Sequence, residues 1–227
     1  MSGTRAETGV IDVRGVLFDM DGVLVSSTGS VLRCWRQWAA EYDVPDASRI
    51  EIPHGMRAVE IMEHFKPGID KVEALRRIED IEIADVADLA VLPGVRALLA
   101  SLPVDRWAIV TSATRRLLVA RLEAAELPIP ERIISAEMVG RGKPDPEPYR
   151  MGAALIGLPA ADCLVVEDAP SGVRAGVEAG CQVLGVEGTH RAAELMEVGA
   201  HFVVKSLAEV SVGVGDRTIR FSVASIR

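Results

Sequence analysis

The sequence predicts an α/β fold, a doubly wound parallel sheet interrupted near its start by a helical insertion. Three observations predict it. From Arg106 onward, short apolar β-rich runs alternate with helical stretches, as in "RWAIVTSA" followed by "TRRLLVARLEAAEL". Near the N-terminus, "RGVLFDM" has the character of those later runs. Between the two lies a segment, residues 26–90, with several helical periodicities and no convincing strand. Apolar runs without polar alternation are strands buried on both faces, and crossover helices between them make the sheet parallel.

In chain order, "RGVLFDM" is expected to be the central strand, because ligands in such folds collect beyond strand carboxyl ends and this strand runs into Asp19 and Asp21. Within the insertion, Val31, Leu32, Trp35, Ala39 and Tyr42 form one apolar stripe. Val59, Met62 and Phe65 form a second, and Val72, Leu75 and Ile78 a third; such spacing makes one face of a helix. Pro93 and Gly94 mark the return to the main sheet, proline being tolerated in a first helical turn. "RIISAEM", "CLVVED", "QVLGVEG" and "HFVVKS" then supply strands between helical runs, and the tail from Val212 to Arg227 is expected to add "TIRFSV".

A chain of 227 residues, 49% of them hydrophobic, can bury a full core. Its net charge of −8 argues against nucleic acid as the main partner, since phosphate backbones select basic faces. Cys34, Cys163 and Cys181 are isolated, with no C-x-x-C spacing; they read as reduced core thiols and indicate neither a disulfide framework nor a zinc site. The opening "MSGTRAETGV" lacks the apolar core of a signal peptide, and no run approaches the roughly eighteen apolar residues of a membrane span. The expected setting is the cytoplasm.

Carboxylates at i and i+2 on a strand end point the same way and repel, unless the chain bends or a cation sits between them. Magnesium suits such a place, because it takes oxygen ligands and keeps several waters, and Gly22 lets the backbone turn away. D-x-D-G alone arises by chance in roughly one chain in twenty of this size, so the other strand ends have to decide. "AIVTSA" ends in Thr111 and Ser112 just before a helix, where hydroxyls and free N–H groups can hold an anion or simply cap the helix. "GRGKPDPEPY" places Lys143 in a proline-stiffened loop. It is no Walker loop, since Glu137 stands in place of the first glycine and Pro144 in place of the hydroxyl residue. "CLVVED" ends in Glu167 and Asp168, which at the same sheet edge as Asp19 favour metal ligation.

This ordered set resembles the haloacid dehalogenase superfamily of phosphotransferases, whose four motifs match Asp19 to Gly22, Thr111 and Ser112, Lys143, and Glu167 with Asp168. The resemblance implies a Rossmann-like core and an α-helical cap: core residues 1–25, cap 26–90, core 91–227. It also implies roles. Asp19 would attack phosphorus and form an aspartyl-phosphate; Asp21 would protonate the leaving oxygen and then activate water. Magnesium would be held by Asp19, the main-chain carbonyl of Asp21, Asp168 and, directly or through water, Glu167. Lys143 would neutralise charge, and Thr111 with the N–H groups of Ser112 and Ala113 would hold phosphoryl oxygens.

Within the superfamily, Asp21 argues against the dehalogenase branch, which lacks it. The phosphonate-cleaving branch needs a cap lysine that the stretch around Glu60 does not offer. Val31 stands where β-phosphoglucomutases carry a histidine. The cap stretch "PHGMRAVEIM" resembles a pattern of sugar-phosphate and glycerol-phosphate phosphatases, so that His54, Gly55 and Arg57 would bind substrate; the competing reading is a helix start with an exposed arginine. One departure is "LVSS", with Ser26 where many relatives have an acidic residue. The expected activity is a magnesium-dependent phosphomonoesterase of the 2-deoxyglucose 6-phosphate or glycerol 3-phosphate type, its partner a small phosphorylated metabolite and the chain a monomer or weak dimer. The alternatives are a sugar-phosphate mutase and a non-catalytic phosphate-binding module.

Overall fold

The computed structural model of the chain describes residues 7–225. In chain order the strands are β1 (Glu7–Val13), β2 (Gly15–Phe18), β3 (Val25–Ser26), β4 (Ala90–Val91), β5 (Trp107–Val110), β6 (Ile133–Ile134), β7 (Cys163–Glu167), β8 (Gln182–Val186), β9 (Phe202–Val204), β10 (Val210–Val214) and β11 (Ile219–Ser225). The α-helices are α1 (Thr28–Glu41), α2 (Ala58–Phe65), α3 (Lys71–Ala84), α4 (Val95–Ser101), α5 (Arg115–Ala124), α6 (Glu147–Leu155), α7 (Pro170–Ala179) and α8 (Ala192–Glu197).

The main sheet has six strands in the order β6-β5-β2-β7-β8-β9, all parallel. β2 is interior, as its apolar run predicts. Its side chains alternate between two cores: Val16 and Phe18 join Ile109 and Val166 on one face, while Leu17 joins Ala108, Val165 and Tyr149 on the other. Phe18 stands opposite both Ile109 and Val166. That register brings the residues just beyond β2, β5 and β7 to one edge of the sheet.

A second, antiparallel sheet has the order β1-β11-β10. The C-terminal strand was legible as "TIRFSV"; Ile226 and Arg227 of the tail lie outside the described residues. β1 and β10 were not, because each is only half apolar and takes its place from pairing with β11. Ile11, Val13, Ile219, Phe221 and Val223 are buried and extend the main core.

Helices α1 to α3 lie between β3 and β4, which pair with each other antiparallel, Val25 opposite Val91. They close on a core of their own that includes Trp38, Ala39, Met62, Ala74 and Ile78, with Trp38 Nε1 donating to the Ala74 carbonyl at 3.2 Å. Val72, expected on a buried stripe, is instead 82% exposed. The Asp70 carboxylate accepts from the N–H groups of Val72 and Glu73 and starts α3 there. The buried stripe is therefore Ala74, Ile78 and Ile81. Cys34, Cys163 and Cys181 are free and buried, and among the described residues no helix is long and apolar enough to cross a membrane.

Candidate active site

The loop after β2 answers how two aspartates share one strand end. The Asp19 N–H still donates to the Val166 carbonyl at 3.0 Å, after which the N–H groups of Leu24 and Val25 both turn back to the Met20 carbonyl. Gly22 takes a φ of 81°, a left-handed conformation that glycine adopts without a steric cost. The coil separates the carboxylates, and each meets its own cation. Lys143 Nζ donates to Asp19 Oδ1 at 2.6 Å, while Arg121 Nη1 donates to Asp21 Oδ2 at 2.6 Å.

Lys143 is held at the ends of three neighbouring strands. Besides Asp19 it donates to the Val110 carbonyl at 3.0 Å and to Glu167 Oε1 at 2.7 Å. Glu167 Oε1 also accepts from the Tyr149 hydroxyl at 2.8 Å, and its Oε2 accepts from the N–H groups of Asp168 and Ala169. Burial works against the charge on Lys143, but Asp19 and Glu167 outweigh it and hold the ammonium above the ordinary lysine value. Burial pushes the Asp19 carboxyl up to about 7, against the pull of Lys143 and with the neighbouring Glu167 adding to the rise. Asp168 is raised well above the carboxylate range by burial, then by the charges of Glu167 and Asp19.

Oxygens of Asp19, Glu167 and Asp168 all lie within 4.8 Å of one another, and one lysine faces these three acids. An all-oxygen donor set with excess negative charge suits a hard divalent cation such as magnesium. The backbone makes room for it, since a Cβ at Gly22 would stand 1.9 Å from Asp168 Oδ2. Asp168 is further fixed by the Thr189 hydroxyl.

Thr111 is buried, and its Oγ1 accepts from the Ala113 N–H at 3.0 Å. Ser112 Oγ donates to the Gly55 carbonyl at 2.6 Å, joining the sheet edge to the helical unit. Asp19, Asp21, Thr111, Ser112, Ala113, His54, Gly55 and Asp168 line one cavity. His54 stands with its ring perpendicular to that of His190, centroids 5.5 Å apart; burial, then His190, lowers its pKa. Arg57 is the residue that the structure takes elsewhere. Instead of facing the cavity, its guanidinium pairs with Glu60 at 2.6 Å and donates to the Val139 carbonyl at 3.0 Å. Arg57 does start α2, its N–H donating to Glu60 Oε2 at 3.2 Å, but its side chain is not exposed: it binds the loop leading to Lys143.

Sequence reasoning missed Ser27, Glu79, Glu82 and Arg121, all close to the aspartates or on the cavity wall. Ser27 Oγ donates to Asp21 Oδ1 at 2.7 Å, and Arg121 Nη2 donates to Glu82 Oε1 at 3.3 Å. A signal was present: Arg121 sits on the buried side of α5 with Leu117, Leu118 and Leu122, where an arginine stays only if it is paired.

A six-stranded parallel sheet with acids at its carboxyl edge, a buried lysine and a helical unit overhead defines a class. The chain belongs to the haloacid dehalogenase-like hydrolases, whose family pattern matches residues 13–180. It is 40% identical over 207 residues to hexitol phosphatase A of Escherichia coli K12, covering 88% of this chain and 94% of that protein. Glycerol-1-phosphate phosphohydrolase 2 of Saccharomyces cerevisiae is 31% identical, covering 89% of this chain and 86% of its own. 2-Deoxyglucose-6-phosphate phosphatase 1 of the same yeast is 32% identical, covering 86% and 89%. Among solved structures, a hydrolase from Pseudomonas syringae superposes with a TM-score of 0.74 at 26% identity, covering 86% of this chain and 94% of that one.

Proposed function

We propose that the chain is a phosphomonoesterase for small phosphorylated polyols and sugars, with Asp19 as nucleophile and Asp21 as acid and base. The observation that carries this is the pair of aspartates facing one cavity from one loop, each carboxylate held by its own cation. Asp19 Oδ1 is engaged by Lys143, which leaves Oδ2 to attack phosphorus. As the bond from phosphorus to the ester oxygen breaks, that oxygen takes the proton of Asp21; the products are an alcohol and an aspartyl-phosphate. Water then gives its proton to Asp21 and attacks the same phosphorus, and Asp19 leaves as orthophosphate forms. Thr111 Oγ1 accepts from Ala113, so its own proton is free for a phosphoryl oxygen, alongside the Ser112 N–H.

Magnesium, when bound by Asp19, Asp168 and the Asp21 carbonyl, offsets the repulsion between the carboxylates and the phosphate dianion. Glu167 has both oxygens committed to donors of the protein, which supports a place outside the ion's immediate ligands. Residues 26–90 act as a cap in this reading, with His54 and Gly55 over the leaving group, and residues 1–25 and 91–227 as the core. The names of the relatives, hexitol phosphatase A, glycerol-1-phosphate phosphohydrolase 2 and 2-deoxyglucose-6-phosphate phosphatase 1, support this substrate class. Val31, an apolar wall of the cavity, gives no support to a mutase. The protein works as a monomer or weak dimer in the cytoplasm, where three free thiols are stable.

Phosphate release from hexitol, glycerol and p-nitrophenyl phosphates, with magnesium and with excess chelator, tests the reading. Turnover is expected only with metal, and Asp19→Asn should lose it by on the order of a thousandfold or more. No release from any ester would favour a phosphate-binding module.

A further inference from the structure

Arg121 is buried, its side chain only 7% exposed, yet it reaches two carboxylates from different parts of the molecule. Nη1 meets Asp21 of the core loop at 2.6 Å, and Nη2 meets Glu82 of α3, in the helical unit, at 3.3 Å. Ser27 holds the other Asp21 oxygen, so this carboxylate is gripped from both sides. Asp21, Ser27, Glu82 and Arg121 all line the cavity that also contains Asp19.

A tie between the helical unit and the core does not by itself need an arginine here. Arg116 already joins α5 to Glu79 and Asp80 of α3, with its side chain 47% exposed. Removing a second guanidinium from water is costly unless its partners use its geometry, and a planar fork can serve two carboxylates at once where a lysine presents a point charge. What Arg121 has and Arg116 lacks is contact with the proposed acid and base.

We infer that Arg121 is a positioning residue for proton transfer: it fixes Asp21 beside the leaving oxygen, and Glu82 of the helical unit holds Arg121 in place. This rests on the reading of Asp21 as acid and base. Arg121 occupies Oδ2 and the Ser27 hydroxyl donates to Oδ1, so the carboxyl that hands a proton to the departing ester oxygen is held in one orientation. A polyol oxygen needs this proton to leave, whereas p-nitrophenolate departs largely without it. A displacement of about 1 Å at such a group costs on the order of a hundredfold in rate.

The test compares glycerol 1-phosphate with p-nitrophenyl phosphate in the full chain with magnesium, for wild type, Arg121→Met, Glu82→Gln and the double variant. Arg121→Met should lose at least about tenfold more kcat on glycerol 1-phosphate than on p-nitrophenyl phosphate, and Glu82→Gln should show the same bias at about threefold. The double variant strands no buried charge against Arg121 or Glu82 and should keep the bias of Arg121→Met. Equal losses on the two esters overturn the inference. So does a double variant in which the bias disappears, because the defect would then come from an unpaired Glu82. A wild type inactive on both esters would overturn the phosphatase reading beneath it.

Discussion

At the floor of the cavity Lys143 binds Asp19 and Glu167 with its side chain 1% exposed, whereas at the seam between α3 and α5 Arg116 binds Glu79 and Asp80 with its side chain 47% exposed. Both are one cation between two acids. At the floor, water cannot replace a lost partner, so a missing charge leaves another uncompensated. At the seam, water and salt screen the pair, which can open and re-form at little cost. The floor is suited to chemistry that must not move; the outer edge of the seam can part without stranding a buried charge, unlike the Arg121–Glu82 pair deeper in the same seam.

The sharpest way to break this contrast is Lys143→Met. It leaves Asp19 and Glu167 facing each other without a cation, and the metal-free protein should lose about 3–5 kcal/mol in urea unfolding. An unchanged midpoint would show that the acids neutralise themselves by taking up a proton. Next, Asp168→Asn should raise the magnesium concentration for half-maximal activity by about ten- to hundredfold, on the scale of lost metal-site contacts. An unchanged requirement would remove Asp168 from the ligands.

Arg57→Ala probes another tie between helical unit and core. Because Arg57 contacts the Val139 carbonyl rather than the cavity, kcat/KM should fall about tenfold on p-nitrophenyl and polyol phosphates alike. Loss on the polyol ester alone would restore the substrate contact expected from "HGMR". The smallest effect belongs to Glu41, on α1, whose carboxyl Arg77 and then Gln37 lower to about 2. Its folded pKa is depressed, so its contribution is present above the ordinary carboxylate range and fades as pH falls toward 2. Glu41→Gln should cost less than about 1 kcal/mol at pH 7 and less still near pH 2. Equal costs at both pH values would mean that packing, not charge, is lost.

Much of this was written along the chain. β2, β5 and β7 are continuous apolar runs, and a run buried on both faces has few places to go other than the interior of a parallel sheet. The residues that end those runs, Asp19, Thr111 and Asp168, fall at one edge because parallel register brings strand ends together. Local sequence therefore determined the sheet, the helical insertion and the acids at the edge. Tertiary structure alone decided the partners. Lys143 reaches Asp19 across 124 positions and Arg121 reaches Asp21 across 100, while β1 finds β11 from the opposite end of the chain. Local pattern can mark that a charge is buried and must be paired, as the leucines around Arg121 do, but not which acid it meets; only burial beside a second charge makes that position matter.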